Sequence, residues 1–92
     1  MYSWERSEKL KKILEKLFKK DKVRYEATFR KIDEVINSKD INHYKNLRYD
    51  MKEFKRVHID SHFVLIFKVD EEKKLIKFQD LQHHDYIYRG NR

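Results

Sequence analysis

Histidine is the residue type in this chain best suited to chemistry, and it is concentrated in the second half. Four of the five histidines lie there, at His58, His62, His83 and His84. The unperturbed pKa of histidine lies near neutrality, so these side chains can donate and accept protons at working pH. Neighbouring lysine and arginine residues could hold a phosphate during that transfer. The combination predicts RNA cleavage by acid and base groups, without a metal or other cofactor.

Cleaving RNA without a metal requires a pair of proton-transfer groups and a fixed cation. The candidate catalytic residues are His58, His62, His84, Arg56 and Tyr88. Arg56 and His58 are two residues apart and so share one face of a predicted strand, whereas Tyr88 could stack on an unpaired base. The residues predicted to contact RNA or its phosphates are Lys45, Arg48, Lys52, Lys55, His83 and Arg89.

Zinc binding by His62, His83 and His84 is the alternative chemistry for these side chains. No pair of histidines with i, i+4 spacing lies on a predicted helix, and the chain has no cysteine. The sequence therefore predicts no metal site.

The composition favours a folded domain with a basic surface. Hydrophobic residues make up 39% and charged residues 42% of the sequence, but the apolar residues are strongly periodic, as in folded proteins. The net charge of +7 favours an anionic partner, either nucleic acid or an acidic protein segment. No apolar run approaches the ~20 residues of a membrane span, and no secretory signal is seen. We expect a cytoplasmic protein without membrane contact, with one domain over residues 1–92.

The first half predicts an antiparallel helix hairpin. Tyr2 and Trp4 alternate with polar residues and could form an edge strand before it. Ser7 is the candidate N-cap of a first helix that ends near Lys20, and Asp21 can cap the second. The predicted apolar stripe of the first helix is Leu10, Ile13, Leu14, Leu17 and Phe18; that of the second is Tyr25, Phe29, Ile32 and Ile36, with Ala27 and Val35 near its edges.

The second half changes to a period of two, which is typical of strands. Residues 54–59, 63–69 and 75–81 predict three strands with hairpin-length connections, paired as an antiparallel meander. The predicted fold class is therefore α+β, with the N-terminal helix hairpin packed on one face of a small antiparallel sheet. The other face is expected to stay open to a ligand and to carry Arg56, His58, Lys77 and Gln79.

Four segments carry a family resemblance: YKNLR at 44–48, KRVHI at 55–59, FVLIFKVD at 63–70 and HHDYIYR at 83–89. In this order and spacing they resemble the RelE/ParE superfamily of type II toxins, especially the RelE and YafQ-like mRNA interferases. The preceding strand and helix hairpin match the family's layout, so the similarity covers most of the chain and implies a RelE-like fold.

The resemblance implies cleavage of mRNA in the ribosomal A site by attack of the 2′-OH, with contacts to rRNA. It also implies neutralisation by a cognate antitoxin that wraps the toxin, with the toxin alone expected to be a monomer. An amphipathic antitoxin helix is expected over the helix hairpin or the sheet edge, with its acidic residues meeting the basic rim.

The resemblance also implies roles for individual residues. On the YafQ-like pattern, His58 and His84 fall at catalytic histidines, His62 at a catalytic aspartate and Tyr88 at an aromatic that holds the substrate. On the RelE pattern, Arg56 and His58 fall where lysines stand and Val64 where an arginine stands. Phosphate stabilisation would then come from Arg56, Lys52 or Arg89, with His58 and His84 as an interchangeable acid and base.

Three other functions fit the same features. A ParE-like toxin that binds DNA gyrase would use this fold without hydrolytic residues, but it would not need a cluster of histidines. A non-catalytic basic module that binds RNA or protein would depend on Arg56 and Lys52 and not on His58 and His84. A degenerate toxin that still binds its antitoxin is the third.

Overall fold

The computed structural model describes residues 2–48 and 51–83 and shows two helices against a mixed sheet of four strands. The sheet has the order β1-β4-β3-β2. The elements are β1 (Ser3–Arg6), α1 (Glu8–Lys20), α2 (Lys22–Ile36), a short 3₁₀ helix (Ile41–His43), β2 (Lys55–His58), β3 (Phe63–Asp70) and β4 (Leu75–His83). The predicted α+β class, helix hairpin and antiparallel meander are confirmed. The edge strand β1 adds a parallel pair with β4, which makes the sheet mixed.

Both predicted helix caps are present. The Ser7 hydroxyl accepts a hydrogen bond from the Leu10 amide at 3.0 Å and donates one to the Gln79 carbonyl at 2.6 Å. The Asp21 carboxylate accepts from the Arg24 amide at 3.1 Å. Each cap satisfies an amide that the first turn of its helix leaves unpaired. Ser7 also fixes the start of α1 to β4.

The helices bury a narrower set of residues than their apolar stripes predicted. Leu10 and Leu14 of α1 are buried, but Phe18 is 50% exposed, so the expectation that it belongs to the core is wrong. In α2 the buried residues are Thr28, Ile32 and Val35, whereas Tyr25, Phe29 and Ile36 are only half-buried. Thr28 is tolerated there because its hydroxyl donates to the Arg24 carbonyl at 2.8 Å.

The central strand β3 is buried on both faces. Leu65 and Phe67 lie in the main core with residues of the two helices. Val64 and Ile66 form a second cluster with Leu47 on the other face, and Met51 and Phe54 pack against it. The face expected to be open is therefore partly covered by Leu47, Met51 and Phe54. Alternation along one strand explains the two cores, because successive side chains point to opposite sides.

A register shift between Ile66 and Phe67 changes which β4 residues share the second face. Phe67 pairs with Phe78, but Ile66 pairs with Asp80, so one extra β4 residue, Gln79, is accommodated at the bulge. Gln79, which was predicted to face a ligand, is the extra residue of the bulge, and the buried Asp80 lies opposite Ile66. No helix in the described part of the chain is long and apolar enough to cross a membrane.

Candidate nucleic-acid interface and histidine pair

Arg56 and His58 lie side by side on the second face of the sheet, as predicted. On β2, Arg56 pairs with Ile66 and His58 with Val64, so both share the face that carries the second apolar cluster. His58 is exposed and Arg56 half-buried. Val64, at the position of the RelE arginine, is fully buried in that cluster. His58, which can carry a proton, and the cationic Arg56 therefore lie beside the second apolar cluster.

The segment beside β2 brings further positive charge to this face. Lys45, Arg48 and Lys52 are all exposed. The segment is held to β2 because the Arg56 amide donates to the Lys45 carbonyl at 3.0 Å, and it is closed on itself because the Leu47 amide donates to the Phe54 carbonyl at 2.9 Å. We name Lys45, Arg48, Lys52, Arg56 and His58 the basic face.

Lys55 is placed differently from the prediction that it would contact RNA. It is only 9% exposed, and its ammonium donates to the Tyr44 carbonyl at 3.2 Å and to the Asn46 side-chain oxygen at 3.1 Å. A buried ammonium with these partners holds the 44–46 segment against β2. Lys55 therefore holds the backbone next to the basic face through Tyr44 and Asn46, and it is not one of the residues exposed on that face.

His62 and His83 meet at the end of the sheet where β3 begins and β4 ends. Their rings are stacked, with centroids 5.8 Å apart and planes at 21°. Phe63 pairs with His83 in the sheet and meets its ring edge-on at 5.5 Å. Because Phe63 packs against the main core, His83 lies on the helix side of the sheet, opposite the face of His58. His83 and His58 therefore lie on opposite faces of the sheet.

An ion pair between α2 and the β2–β3 turn supports the histidine pair. Arg24 Nε donates to Asp60 Oδ2 at 3.0 Å, and Asp60 Oδ1 accepts from the amides of His62 and Phe63 at 2.8 and 2.9 Å. Burial alone raises the pKa of Asp60, but the His62 amide, the Arg24 guanidinium and the Phe63 amide together bring that pKa below its ordinary value. Sequence reasoning missed Arg24 and found Asp60 only as a turn residue.

Asp80 is a further polar group that sequence reasoning missed. It is 6% exposed and lies opposite Ile66 on the face that carries Arg56. Lys9 of α1 pairs with it at 2.9 Å, and the amides of Leu81 and the Gln82 side chain donate to it. The ion pair with Lys9 connects the start of α1 to β4. The position of Asp80 depends on the bulge, for which the sequence carries no evident signal.

A separate groove lies along the helix hairpin and includes Arg6 of β1 in its lining, with a volume of about 580 Å³. Its apolar floor includes Phe18, Tyr25 and Phe29, whose rings stand in a row with centroids 5.2 and 5.0 Å apart. Its charged lining is Arg6, Lys11, Lys19 and Glu15, which leaves it net positive. We name this the hairpin groove.

His84, Tyr88 and Arg89 lie outside the described residues, so their predicted roles stay predictions. Within residues 2–48 and 51–83, no group of three or more histidine, aspartate or glutamate side chains is arranged to hold a metal ion.

Solved structures with this fold include a toxin and a toxin–antitoxin complex. A metal-bound toxin from Helicobacter pylori has a TM-score of 0.75 with 19% identity, covering 95% of this chain and 99% of that one. The YoeB–YefM complex from Staphylococcus aureus has a TM-score of 0.73 with 13% identity, covering 91% and 98%. The intact Escherichia coli RelBE complex has a TM-score of 0.68 with 23% identity, covering 89% and 95%. The fold is that of the RelE-like toxins.

Sequence relatives narrow the assignment, although no family model matches the chain. A chain of Methanocaldococcus jannaschii described as "Putative toxin RelE4" is 48% identical over 89 residues, which cover 97% of this chain and 93% of the relative. An uncharacterized protein of Methanosarcina mazei is 47% identical over 74 residues, which cover 80% and 84%. The chain belongs to the RelE family of toxins.

Replacing Lys55 with Met should weaken the fold, because the Tyr44 carbonyl and Asn46 lose their buried donor. We expect K55M to lower the free energy of unfolding by about 1–3 kcal/mol, measured by urea unfolding. The control K52A removes an exposed charge and should change it by less than about 0.5 kcal/mol. Equal stabilities for K55M and K52A would contradict the supporting role of Lys55.

Replacing Asp60 with Asn should change stability mainly above the acid range. Because the folded-state pKa of Asp60 is lowered, its ionised form contributes stability above its ordinary pKa of about 3.9, and that contribution is lost as pH falls through the lowered pKa. D60N keeps an acceptor for both amides but loses the ion pair with Arg24.

We expect D60N to be less stable than the wild type at neutral pH by about 1 kcal/mol or less, because the Asp60 side chain is 35% exposed and solvent screens the pair. The difference should shrink steadily in acid. Urea midpoints measured across the acid range test this, and a difference that stayed constant with pH would contradict it.

Proposed function

We propose that this toxin is a ribosome-associated endoribonuclease that cleaves mRNA in the cytoplasm by metal-independent acid and base catalysis. The observation that carries the proposal is the pairing of exposed His58 with half-buried Arg56 on the sheet face bordered by Lys45, Arg48 and Lys52. Membership of the RelE family supports it, since the resemblance of residues 44–89 implied this activity.

The proposed reaction breaks the P–O5′ bond as the neighbouring 2′-OH attacks the phosphorus. A general base removes the 2′-OH proton, and a general acid protonates the departing 5′-oxygen, which leaves a 2′,3′-cyclic phosphate and a 5′-OH. We assign these interchangeable roles to His58 and His84, and the phosphate clamp to Arg56, whose guanidinium can stabilise the charge of the phosphorane. His62, His83, Tyr88 and Arg89 would help to hold the substrate.

The position of His58 favours cleavage over simple binding. Lysine and arginine alone would suffice for a surface that only attracts phosphates. Here His58 stands on the same face, two residues from Arg56, where a proton carrier is within reach of a phosphate bound by the guanidinium. A gyrase-binding toxin would have no use for such a neighbour.

The test compares mRNA from cells that express the wild type, H58Q/H84Q or R30A. Arg30 is an exposed arginine on α2 and serves as the control for expression of a surface variant. We expect new in-frame 5′ ends on a translated reporter with the wild type and R30A, and at least about 100-fold fewer with H58Q/H84Q at equal protein level.

The alternatives predict other outcomes. Cleavage that persists in a folded H58Q/H84Q would refute the assignment of these histidines. Growth arrest with intact mRNA would support a gyrase-type toxin, and intact mRNA without arrest would support a binding module or a degenerate toxin.

We also propose that the partner is a cognate antitoxin and that one of its acidic amphipathic segments binds the hairpin groove. The groove presents the half-exposed Phe18 beside Tyr25 and Phe29, with three cations and a single carboxylate in its lining. An amphipathic helix could bury apolar side chains on the aromatic row and place carboxylates on the cations. The YoeB–YefM and RelBE neighbours are themselves such complexes.

Binding of a synthetic helical peptide with one leucine stripe flanked by glutamates would test the groove. We expect F18A to weaken its binding roughly tenfold, as for an anchor residue at an interface, with V23A as the control. Val23 is 77% exposed and does not line the groove. Equal loss in F18A and V23A, or equal binding of a peptide with lysine in place of glutamate, would contradict the proposal. Isothermal titration at two salt concentrations provides the measurement.

A further inference from the structure

We propose that Arg24 is a positioning residue that holds the His62–His83 pair in its stacked arrangement, and that RNA cleavage depends on it; the second part rests on the proposed function. Arg24 lies on α2, outside the segments that resemble the family's motifs. Its side chain contacts Asp60, which accepts the His62 amide, and Phe63, whose ring meets His83. One residue therefore controls the separation of the two histidine rings.

The first contact runs through the β2–β3 turn. Arg24 Nε is 3.0 Å from Asp60 Oδ2, while the other carboxylate oxygen accepts the amides of His62 and Phe63. The carboxylate is thus bound on one side by the guanidinium and on the other by the turn that carries His62. Losing the guanidinium would leave Asp60 free to turn towards solvent and release the backbone of His62.

The second contact runs through an aromatic ring. The guanidinium carbon of Arg24 lies 4.1 Å from the centroid of the Phe63 ring, within the range of a cation–π interaction. Phe63 in turn meets His83 edge-on at 5.5 Å, and His83 stacks on His62 at 5.8 Å. Arg24 therefore fixes the ring against which His83 rests.

The guanidinium is itself held in place. Arg24 Nη1 donates to Asp21 Oδ2 at 2.9 Å, and Asp21 is the N-cap of α2. The Arg24 side chain is 24% exposed, and three groups engage it at once: two carboxylates and a ring face. A planar guanidinium with several N–H groups can satisfy this geometry, whereas the single ammonium of lysine cannot.

The test uses R24Q and R24K, with K31Q as the matched control. Lys31 also lies on α2 and forms an ion pair, with Glu34 at 3.1 Å, but it contacts neither the turn nor Phe63. K31Q removes the same charge from the same helix. Stability by thermal unfolding, the ring-proton shifts of His62 and His83 by NMR, and kcat and KM for reporter RNA cleavage are compared.

We expect R24Q to move the ring-proton shifts of both histidines towards those of free imidazole and to raise KM about tenfold or more, with kcat within about twofold, because the His62–His83 pair is assigned to holding the substrate. R24K should be intermediate in both, and K31Q should match the wild type. If R24Q fails to fold, the same comparison is decided on R24K. Unchanged ring shifts in a folded variant, or equal effects of K31Q, would overturn the proposal.

The NMR and kinetic measurements separate this inference from the proposed function. Altered ring shifts in R24Q together with a wild type that cleaves no RNA would leave the positioning role in place and refute the endonuclease. Unaltered ring shifts with an active wild type would refute the positioning role alone. Altered shifts with an unchanged KM would show that Arg24 holds the pair and would overturn the claim that RNA cleavage depends on it.

Discussion

The burial of β3 on both faces is the constraint on which the rest of the structure depends. Leu65 and Phe67 pack against the helices, and Val64 and Ile66 pack with Leu47, Met51 and Phe54. A slip of one residue moves every side chain of a strand to the other face, so the register of a strand is already specified where one face is buried. Here a slip of a single residue would exchange the two apolar sets between two cores of different shape. Both cores therefore fix the register of β3.

The positions of the functional candidates follow from that register. Because Ile66 and Val64 are fixed in the second cluster, their β2 partners Arg56 and His58 must stand on the same face. Because Phe63 is fixed against the main core, its β4 partner His83 must stand on the helix side. Among the second-half histidines that the structure describes, His58 therefore lies on the basic face, whereas His62 and His83 form a pair at the end of the sheet that needs its own support from α2.

Local patterns in the sequence were enough for the elements. The period of α1, the capping side chains of Ser7 and Asp21 and the period of two after residue 54 each depend on neighbouring residues only. Three features depend on contacts between distant segments and could not be predicted in this way. They are the burial of Lys55 under the 44–46 carbonyls, the bulge that brings Asp80 opposite Ile66, and the rotation of α2 that buries Thr28.

The candidate site was predictable to the same degree. Arg56 and His58 were placed on one face by simple alternation, but alternation could not show that Leu47 and Phe54 would cover part of that face. Leu47 was identified only as part of the YKNLR segment and Phe54 only as the start of a strand, and their packing depends on Val64 and Ile66 on β3. The contacts of Arg24 could not be predicted for a related reason. Nothing in the sequence of a helix indicates which loop its first residues will contact.

The hairpin groove and the basic face lie on opposite sides of the sheet, which constrains how an antitoxin could act. Arg6 of the edge strand β1 lines the groove, whereas Arg56 and His58 belong to β2 at the other edge. Three strand spacings of ~4.8 Å separate these edges, about 14 Å in all. A segment bound only in the groove would leave His58 exposed. Under this proposal, the affinity of the antitoxin and its inhibition of cleavage are therefore separable. The groove can supply binding energy. Inhibition of cleavage requires either a further antitoxin segment that crosses the sheet or an antitoxin large enough to keep the toxin off the ribosome.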